Sequence, residues 1–133
     1  MNNDVLVVAA HPDDEVLGCG GAMAKHVQEG DNVYVIFLTD GVSSRAGNEV
    51  IDAAKMRAAY ATEASKILGV KKIIQFSFPD NKMDSIPLLE IIQALQPVFE
   101  DISPNIIYTH FYRDLNIDHR ITYQATMTIA RAL

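Results

Sequence analysis

The chain has a single cysteine, no surplus of basic charge and no long hydrophobic run. Because Cys19 stands alone among 133 residues, no disulfide can form within the chain, and the sequence fits a reducing compartment. The formal net charge of -6 argues against a nucleic-acid partner, since no basic surplus replaces the counterions of a phosphate backbone. The first apolar run, Val5 to Ala10, follows Asp4. It is too short to span a bilayer and does not resemble a signal peptide. We therefore expect a cytoplasmic protein that does not bind nucleic acid or insert into a membrane.

The composition is that of a globular protein. Hydrophobic residues make up 49% and charged residues 21% of the chain, which are the proportions of a protein with a core and not of a disordered one. The length allows one domain with little room for a second. We expect residues 1–133 to form a single domain.

Short apolar runs alternate with longer segments of helical period, which is typical of βαβ units around a parallel sheet. Four runs are predicted strands: Val5–Ala10, Val33–Leu38, Lys72–Phe76 and Asn105–Thr109. Four segments are predicted helices: Glu15–Glu29, Glu49–Leu68, Ile86–Ile102 and one that starts near Asp118. The pattern predicts a Rossmann-like three-layer α/β/α sandwich, mostly parallel, with strand order 3-2-1-4.

Three expectations concern the helices. The second helix is predicted to bury one stripe of residues three or four apart, namely Ala53, Met56, Tyr60, Ala64 and Ile67. Pro97 lies within the third helix and predicts a kink or an early end. His26 falls in the first helix, away from the carboxyl ends of the strands, and is expected at the surface.

Residues with metal-binding chemistry follow two strands that the predicted order makes neighbours. His11 and Asp14 stand in the loop after the first strand, and His119 follows the fourth. Two imidazoles and one carboxylate with an open fourth position are typical of a catalytic zinc site, whereas a structural site is more often closed by cysteines. Asp13 is then free to act as a general base beside a water molecule on the metal.

Each motif also has a purely structural interpretation. The stretch from His11 to Asp14 is compatible with a turn in which Asp13 or Asp14 caps a helix, and Asp118 can cap the last helix with His119 simply exposed. Two helix caps have no reason to lie side by side where the strand order of the sheet reverses direction. Their predicted adjacency therefore favours the metal site.

The sequence resembles the LmbE-like family of zinc de-N-acetylases, also called the PIG-L family. The resemblance rests on Ala10-His-Pro-Asp-Asp-Glu15 and on Asp118-His119, and it extends from about Val5 to Arg131. Weaker stretches support it in the expected order: Leu38-Thr-Asp-Gly41, Leu68-Gly-Val70, Pro79-Asp-Asn81 and Asp114-Leu-Asn116. Family members usually continue well past this length, so the resemblance implies that C-terminal elements of the family fold are missing from these residues.

The resemblance implies a role for each matching position. His11, Asp14 and His119 match three zinc ligands, one ion per chain, and Asp13 matches the general base. Asp118 matches a carboxylate that orients a neighbouring imidazole. Many members have a histidine three residues before the last ligand to stabilise the oxyanion. Asn116 stands there in this sequence, and an amide can donate a hydrogen bond but no proton. His110 is the other candidate for this task.

The substrate is less well defined by the sequence. The resemblance implies an N-acetylated amino sugar or a related small molecule, and it leaves self-association open. Four polar residues after the strands are candidate substrate ligands: Arg45, Asp80, Asn81 and Arg113. Arg45 is equally compatible with a solvated loop charge, and Asp80 and Asn81 with turns.

Two other functions compete with deacetylation. A nucleotide-binding module is suggested by Gly18-Cys-Gly-Gly21, but these glycines begin inside the first helix and lack the Gly-x-Gly-x-x-Gly spacing. We interpret them instead as allowing this helix to pack closely on the sheet. The second alternative is a catalytically impaired relic that keeps the metal ligands and lacks part of the pocket.

Overall fold

The computed structural model describes residues 1–45 and 50–132, so the predicted helix start at Glu49 lies outside the described residues. The elements are β1 (Asp4–Ala9), α1 (Asp14–Gln28), β2 (Asn32–Thr39), α2 (Val50–Leu68), β3 (Lys72–Phe78), a 3-10 turn (Met83–Ser85), α3 (Leu88–Ile102), β4 (Ile106–Thr109) and α4 (Ile117–Ala130). None of the described helices is both long and apolar enough to cross a membrane.

The sheet has the order β3-β2-β1-β4, and each neighbouring pair is parallel. This confirms the predicted order. Val5 of β1 is in register with Val33 of β2 on one side and with Ile106 of β4 on the other. Strand β1 is therefore central, and its residues from Val5 onward are buried. A parallel strand covered on both faces needs apolar side chains in both directions, which explains its unbroken apolar run.

Helices cover both faces of the sheet. On one face, Leu6 and Val8 of β1 pack in a core with residues of α3 and α4, among them Leu95 and Ile121. On the other face, β1 and β2 pack with Met23 of α1 and with Ala61 of α2. The three-layer α/β/α architecture is therefore confirmed.

The predicted buried stripe of α2 is wrong. Met56, Tyr60 and Ile67 are 53%, 63% and 84% exposed. The helix instead turns Ala61 inward, with Arg57 one turn earlier partly buried on the same side. Alanines occur on several sides of this helix, so the apolar period does not determine which side faces the sheet.

Helix α3 does not end at Pro97. It continues to Ile102, because Pro97 lies on the exposed side while Leu95 and Phe99 are buried in the core. Gln93, whose carbonyl would have bonded to the missing N–H of Pro97, is also exposed, so water can satisfy that carbonyl.

Helix α1 differs from its prediction in two respects. It is kinked at Cys19, where φ is -145° and ψ is 23°. A Cβ added at Gly18 or Gly21 would meet no atom within 4 Å, and one at Gly20 would meet only Val16 of the same helix, at an ordinary contact distance of 3.6 Å. The interpretation of these glycines as allowing close packing on the sheet is therefore wrong. His26, predicted at the surface, is partly buried, and its ring nitrogens contact Asp31 Oδ2 at 2.7 Å and Tyr108 Oη at 2.9 Å.

Candidate metal centre

Two loops meet at the carboxyl end of the sheet. The first connects β1 to α1 and contains His11 and Asp13, and the second connects β4 to α4. Because Val8 near the end of β1 is in register with Thr109 at the end of β4, the two loops leave the sheet side by side. The strand order thus places His11 next to a histidine 108 positions later in the chain.

Three donor atoms converge between these loops. His11 Nδ1 lies 3.2 Å from Asp14 Oδ2, His119 Nε2 lies 3.2 Å from the same oxygen, and the two nitrogens are 3.3 Å apart. With metal–ligand bonds of about 2.0 to 2.1 Å, the donors of a tetrahedral zinc site lie about 3.3 Å from one another. The three atoms therefore form one triangular face of such a tetrahedron, and the donor set fits a divalent metal.

A buried carboxylate orients the ring of His11. His11 Nε2 lies 2.9 Å from Asp118 Oδ2, and Asp118 also accepts hydrogen bonds from the backbone N–H groups of Asn81 and Met83. Burial alone would raise the pKa of Asp118, but the hydrogen bond from His11 and the two from the backbone outweigh it and lower this pKa. Asp118 is thus held as an anion, and an Nε2–H bond to it leaves Nδ1 of His11 for a metal.

The charge of the site favours a cation at His11. Burial lowers the pKa of this imidazole, but its contacts with Asp118 and Asp14 outweigh burial and raise the pKa to about 9. Burial likewise opposes ionisation of Asp14, yet the hydrogen bonds from His11 and His119 bring the pKa of Asp14 below its ordinary value. In the absence of a metal, protons on the imidazoles therefore balance the carboxylates.

A second carboxylate, Asp114, orients His119. Asp114 Oδ2 lies 3.1 Å from His119 Nδ1, and its Oδ1 accepts the backbone N–H of Asn116 at 2.8 Å. An Nδ1–H bond to Asp114 leaves Nε2 of His119 directed at the other donors. The sequence analysis assigned no role to Asp114. The segment Asp114-Leu-Asn116 was identified in the sequence, but the contact of Asp114 with His119 depends on the conformation of the loop and could not be predicted.

His110 stacks on His119, with ring centroids 3.9 Å apart and an interplanar angle of 16°. Its Nε2 lies 2.9 Å from the backbone nitrogen of Ala10 and accepts that N–H. Burial, helped by the nearby charge of His119, lowers the pKa of His110 to about 4. The ring is therefore neutral at neutral pH, and of its two nitrogens only Nδ1 can donate a hydrogen bond. That His110 donates a hydrogen bond to an oxyanion stays a prediction.

Asn116 is the N-cap of α4. Its Oδ1 accepts the backbone N–H groups of Asp118 and His119 at 2.9 and 3.3 Å, so it holds the metal-binding residue at the first turn of the helix. Its Nδ2 is 3.4 Å from Asn81 Oδ1. That this amide also donates a hydrogen bond to an oxyanion stays a prediction.

A polar cleft of about 180 Å³ opens beside the donor atoms. It is lined by His11, Asp13, Gly41, Arg57, Asp80, Asn81 and Asn116. Two predicted substrate residues, Asp80 and Asn81, thus belong to it. Asp80 is buried, bonds to the hydroxyl of Ser44 at 2.5 Å and lies 3.3 Å from His11 Nε2. Arg45 and Arg113 are exposed and do not line the cleft as far as it is described.

Arg57 is a residue of the cleft that the sequence analysis missed. Its Nη2 donates to Asp13 Oδ2 at 2.8 Å, and its Nη1 donates to the carbonyl oxygen of Gly41 at 2.7 Å. The sequence shows an arginine in an alanine-rich helix, which could have indicated that Arg57 faces the sheet. We did not predict this, because we assigned the buried side of the helix to Met56 and Tyr60.

The fold and the site together define the class: a parallel α/β protein with a candidate metal centre at the carboxyl ends of β1 and β4, where open α/β sheets bind their ligands. Comparison with known proteins identifies the family. The family model described as GlcNAc-PI de-N-acetylase, PIG-L, matches residues 6–130. The chain belongs to this family, as the resemblance in its motifs implied.

Three relatives illustrate the range of the family fold. The chain is 32% identical over 134 residues to the uncharacterized deacetylase YaiS of Escherichia coli, covering 97% of this chain and 69% of that protein. It superposes on N,N'-diacetylchitobiose deacetylase from Pyrococcus horikoshii with a TM-score of 0.85 and 26% identity, covering 96% of this chain and 49% of the other. GalB, the 4-carboxy-2-hydroxymuconate hydratase of Pseudomonas putida, gives a TM-score of 0.85 and 26% identity, covering 97% and 55%. The chain thus spans about half to two thirds of the length of these proteins.

Proposed function

We propose that this chain carries the catalytic centre of a zinc-dependent N-deacetylase, which hydrolyses the acetamide of an amino sugar or of a sugar-containing small molecule. The observation that carries the proposal is the triangle formed by His11 Nδ1, Asp14 Oδ2 and His119 Nε2, with edges of 3.2 to 3.3 Å, beside the carboxylate of Asp13. Family membership and the deacetylase names of two relatives support it.

His11, Asp14 and His119 would hold one divalent ion. A donor set of two imidazole nitrogens and one carboxylate oxygen suits zinc, and it leaves a fourth position for a ligand from solution or substrate. An ion bound there supplies Lewis acidity, which polarises an amide carbonyl and makes a water molecule more acidic. Asp118 and Asp114 keep the two imidazoles in the tautomers that present Nδ1 and Nε2 to the ion.

Asp13 is the proposed general base. It lines the same cleft as His11, its side chain is 49% exposed, and it lies in the sequence between His11 and Asp14, two of the proposed ligands. It would take the proton of the attacking water and return it to the leaving amine, so that one carboxylate serves as base and then as acid. Asn116 would donate an amide N–H to the carbonyl oxygen as negative charge develops there.

The cleft favours a hydroxylated substrate. Carboxylate and amide groups of Asp80, Asn81 and Asn116 line it, and such groups bond to sugar hydroxyls. One relative is named as a diacetylchitobiose deacetylase, which also supports a sugar substrate. Arg45 and Arg113 stay predictions as substrate ligands, as do the cytoplasmic location and self-association.

Hydration of a carbon–carbon double bond is the second candidate, because GalB shares the fold at the same TM-score as the Pyrococcus deacetylase. The higher identity of the match with YaiS, 32% against 26% for GalB, favours deacetylation.

The test is release of free amine from N-acetylglucosamine, diacetylchitobiose and N-acetylglucosaminyl conjugates by purified protein loaded with zinc. We expect turnover that chelation abolishes and that Asp13→Asn reduces by about 10² to 10⁴-fold, which is the usual contribution of a positioned base. Asp101→Asn, which removes an exposed carboxylate in the last turn of α3, outside the cleft lining described above, is the matched control. Metal binding without amine release from any amide, combined with consumption of 4-carboxy-2-hydroxymuconate, would instead establish the hydratase. Metal binding with neither activity would identify the impaired relic.

A further inference from the structure

Asp13 has a backbone conformation that side-chain-bearing residues rarely adopt. Its φ is 129° and its ψ is -27°, and its side chain makes no capping hydrogen bond to α1. A strained residue persists only where its surroundings hold it, and such residues concentrate at functional sites. At Asp13 the backbone N–H donates to Glu15 Oε2 at 2.9 Å. Glu15 therefore holds the backbone of Asp13, but it does not contact the carboxylate of Asp13.

Arg57 directs the carboxylate. Its guanidinium reaches from α2 to two points of the cleft at once, with Nη2 at 2.8 Å from Asp13 Oδ2 and Nη1 at 2.7 Å from the carbonyl oxygen of Gly41. In the described part of the chain, Oδ1 of Asp13 receives no hydrogen bond, so this oxygen is left to accept a proton. A planar guanidinium with two separate partners holds a direction better than a single ammonium does.

Gly41 shows how closely the guanidinium is seated. A Cβ at Gly41 would lie 2.6 Å from Arg57 Nη1 and 3.4 Å from His11 Cβ. The loop after β2 thus passes between the arginine and a metal ligand, and the absence of a side chain there allows Arg57 to reach both partners. Gly41 also has a φ of 72°, which is suited to glycine.

The ion pair is too exposed to be explained by stability. The side chains of Arg57 and Asp13 are 27% and 49% exposed, and ion pairs at such positions contribute little to folding. From these contacts we propose that Arg57 is a positioning residue for the general base: it fixes one oxygen of Asp13 so that the other faces the cleft. This inference rests on the proposed function of Asp13.

The test compares Arg57→Ala, Arg57→Lys, Asp13→Asn and the double variant Arg57→Ala with Asp13→Asn. We expect Arg57→Ala to lower kcat by about 10²-fold with KM, metal content and thermal midpoint retained, because a misplaced catalytic group costs rate rather than binding. Arg57→Lys should recover about tenfold, since one charged donor replaces two. The double variant should match Asp13→Asn within about twofold, because Arg57 acts through Asp13. Lys55→Ala removes the same charge from an exposed position of α2 and should leave kcat unchanged.

Two results would overturn the proposal. One is a rise in KM at constant kcat for Arg57→Ala, which would mean that the guanidinium contacts the substrate. The other is a double variant whose loss is the product of the two single losses. Crystal structures provide a readout that needs no turnover: Asp13 should leave its single orientation in Arg57→Ala, and an unchanged carboxylate would refute the inference. If the wild-type protein releases no amine at all, the proposed function fails, while the crystal structures still decide the role of Arg57.

Discussion

Binding of a divalent metal should release protons, and Asp118 should control how many. The pKa of His11 in the metal-free protein is about 9, so only about 1% of this imidazole is neutral at pH 7. A metal binds the neutral ring, and one displaced proton therefore weakens binding at pH 7 by about 100-fold relative to a pH above 9. In sign, metal affinity rises with pH, by about tenfold per pH unit for each proton displaced. His119, whose pKa is also raised by Asp14 and Asp114 against the effect of burial, adds to the slope.

The perturbation is Asp118→Asn. Loss of this buried anion removes the strongest contribution that raises the pKa of His11, so the variant should release fewer protons and show a shallower dependence on pH. Its absolute affinity is not diagnostic, because removing a carboxylate that orients a metal-binding histidine typically costs about 10 to 100-fold by itself. The slope separates the charge effect from the orientation effect.

Isothermal titration calorimetry at pH 7, in two buffers with different protonation enthalpies, counts the protons released per metal. Chelator competition from pH 6 to 8 gives the slope of the affinity. Asp31→Asn is the matched control, because Asp31 also contacts a histidine, His26, at 2.7 Å but lies away from the cleft. A wild-type affinity that is flat over this range, or an equal slope in Asp118→Asn, would refute the reasoning.

Three further predictions concern stability. Metal-free protein should lose up to about 3 kcal/mol of unfolding free energy as pH rises from 6.5 through 9, because the raised pKa of His11 means that the charged imidazole stabilises the fold below that range. Urea unfolding in the presence of a chelator measures this loss, and a stability that stays constant over the range would contradict it. Leu95→Ala, in the fully buried core, should cost about 2 to 5 kcal/mol, whereas Met56→Ala at a 53% exposed position should stay within about 0.5 kcal/mol; equal thermal shifts would contradict the observed orientation of α2. Asn116→Ala should cost about 0.5 to 2 kcal/mol through loss of the N-cap, and Asn116→Asp should retain most of it; a denaturant series that finds the two variants alike would show that the cap contributes nothing.

The strands and the position of the centre could be predicted because both follow from the sheet. Strands β1 and β2 are covered on both faces, which requires unbroken apolar runs that the sequence displays directly. Right-handed crossovers then make β1 and β4 neighbours. Once they are neighbours, the loops with His11 and His119 have to leave the sheet side by side.

The orientation of side chains around the centre could not be predicted in the same way. Helix α2 has alanines on several sides, so its periodicity did not show that Arg57 faces inward while Met56 and Tyr60 face outward. The contact between Asp114 and His119 depends on a loop conformation set by Asn116. Such contacts arise from tertiary packing, and no local pattern in the sequence encodes them.

The donors of the centre lie far apart along the chain, since His11 and His119 are separated by 108 positions. During synthesis, a ribosome-bound chain that has exposed β1, α1 and β2 would present His11 and Asp14 without their third partner. Tight binding of an ion has to wait until β4 pairs with β1 and α4 begins. Once bound, the ion would hold the loop after β1 against the loop after β4, and its binding free energy would add to the stability of the folded state.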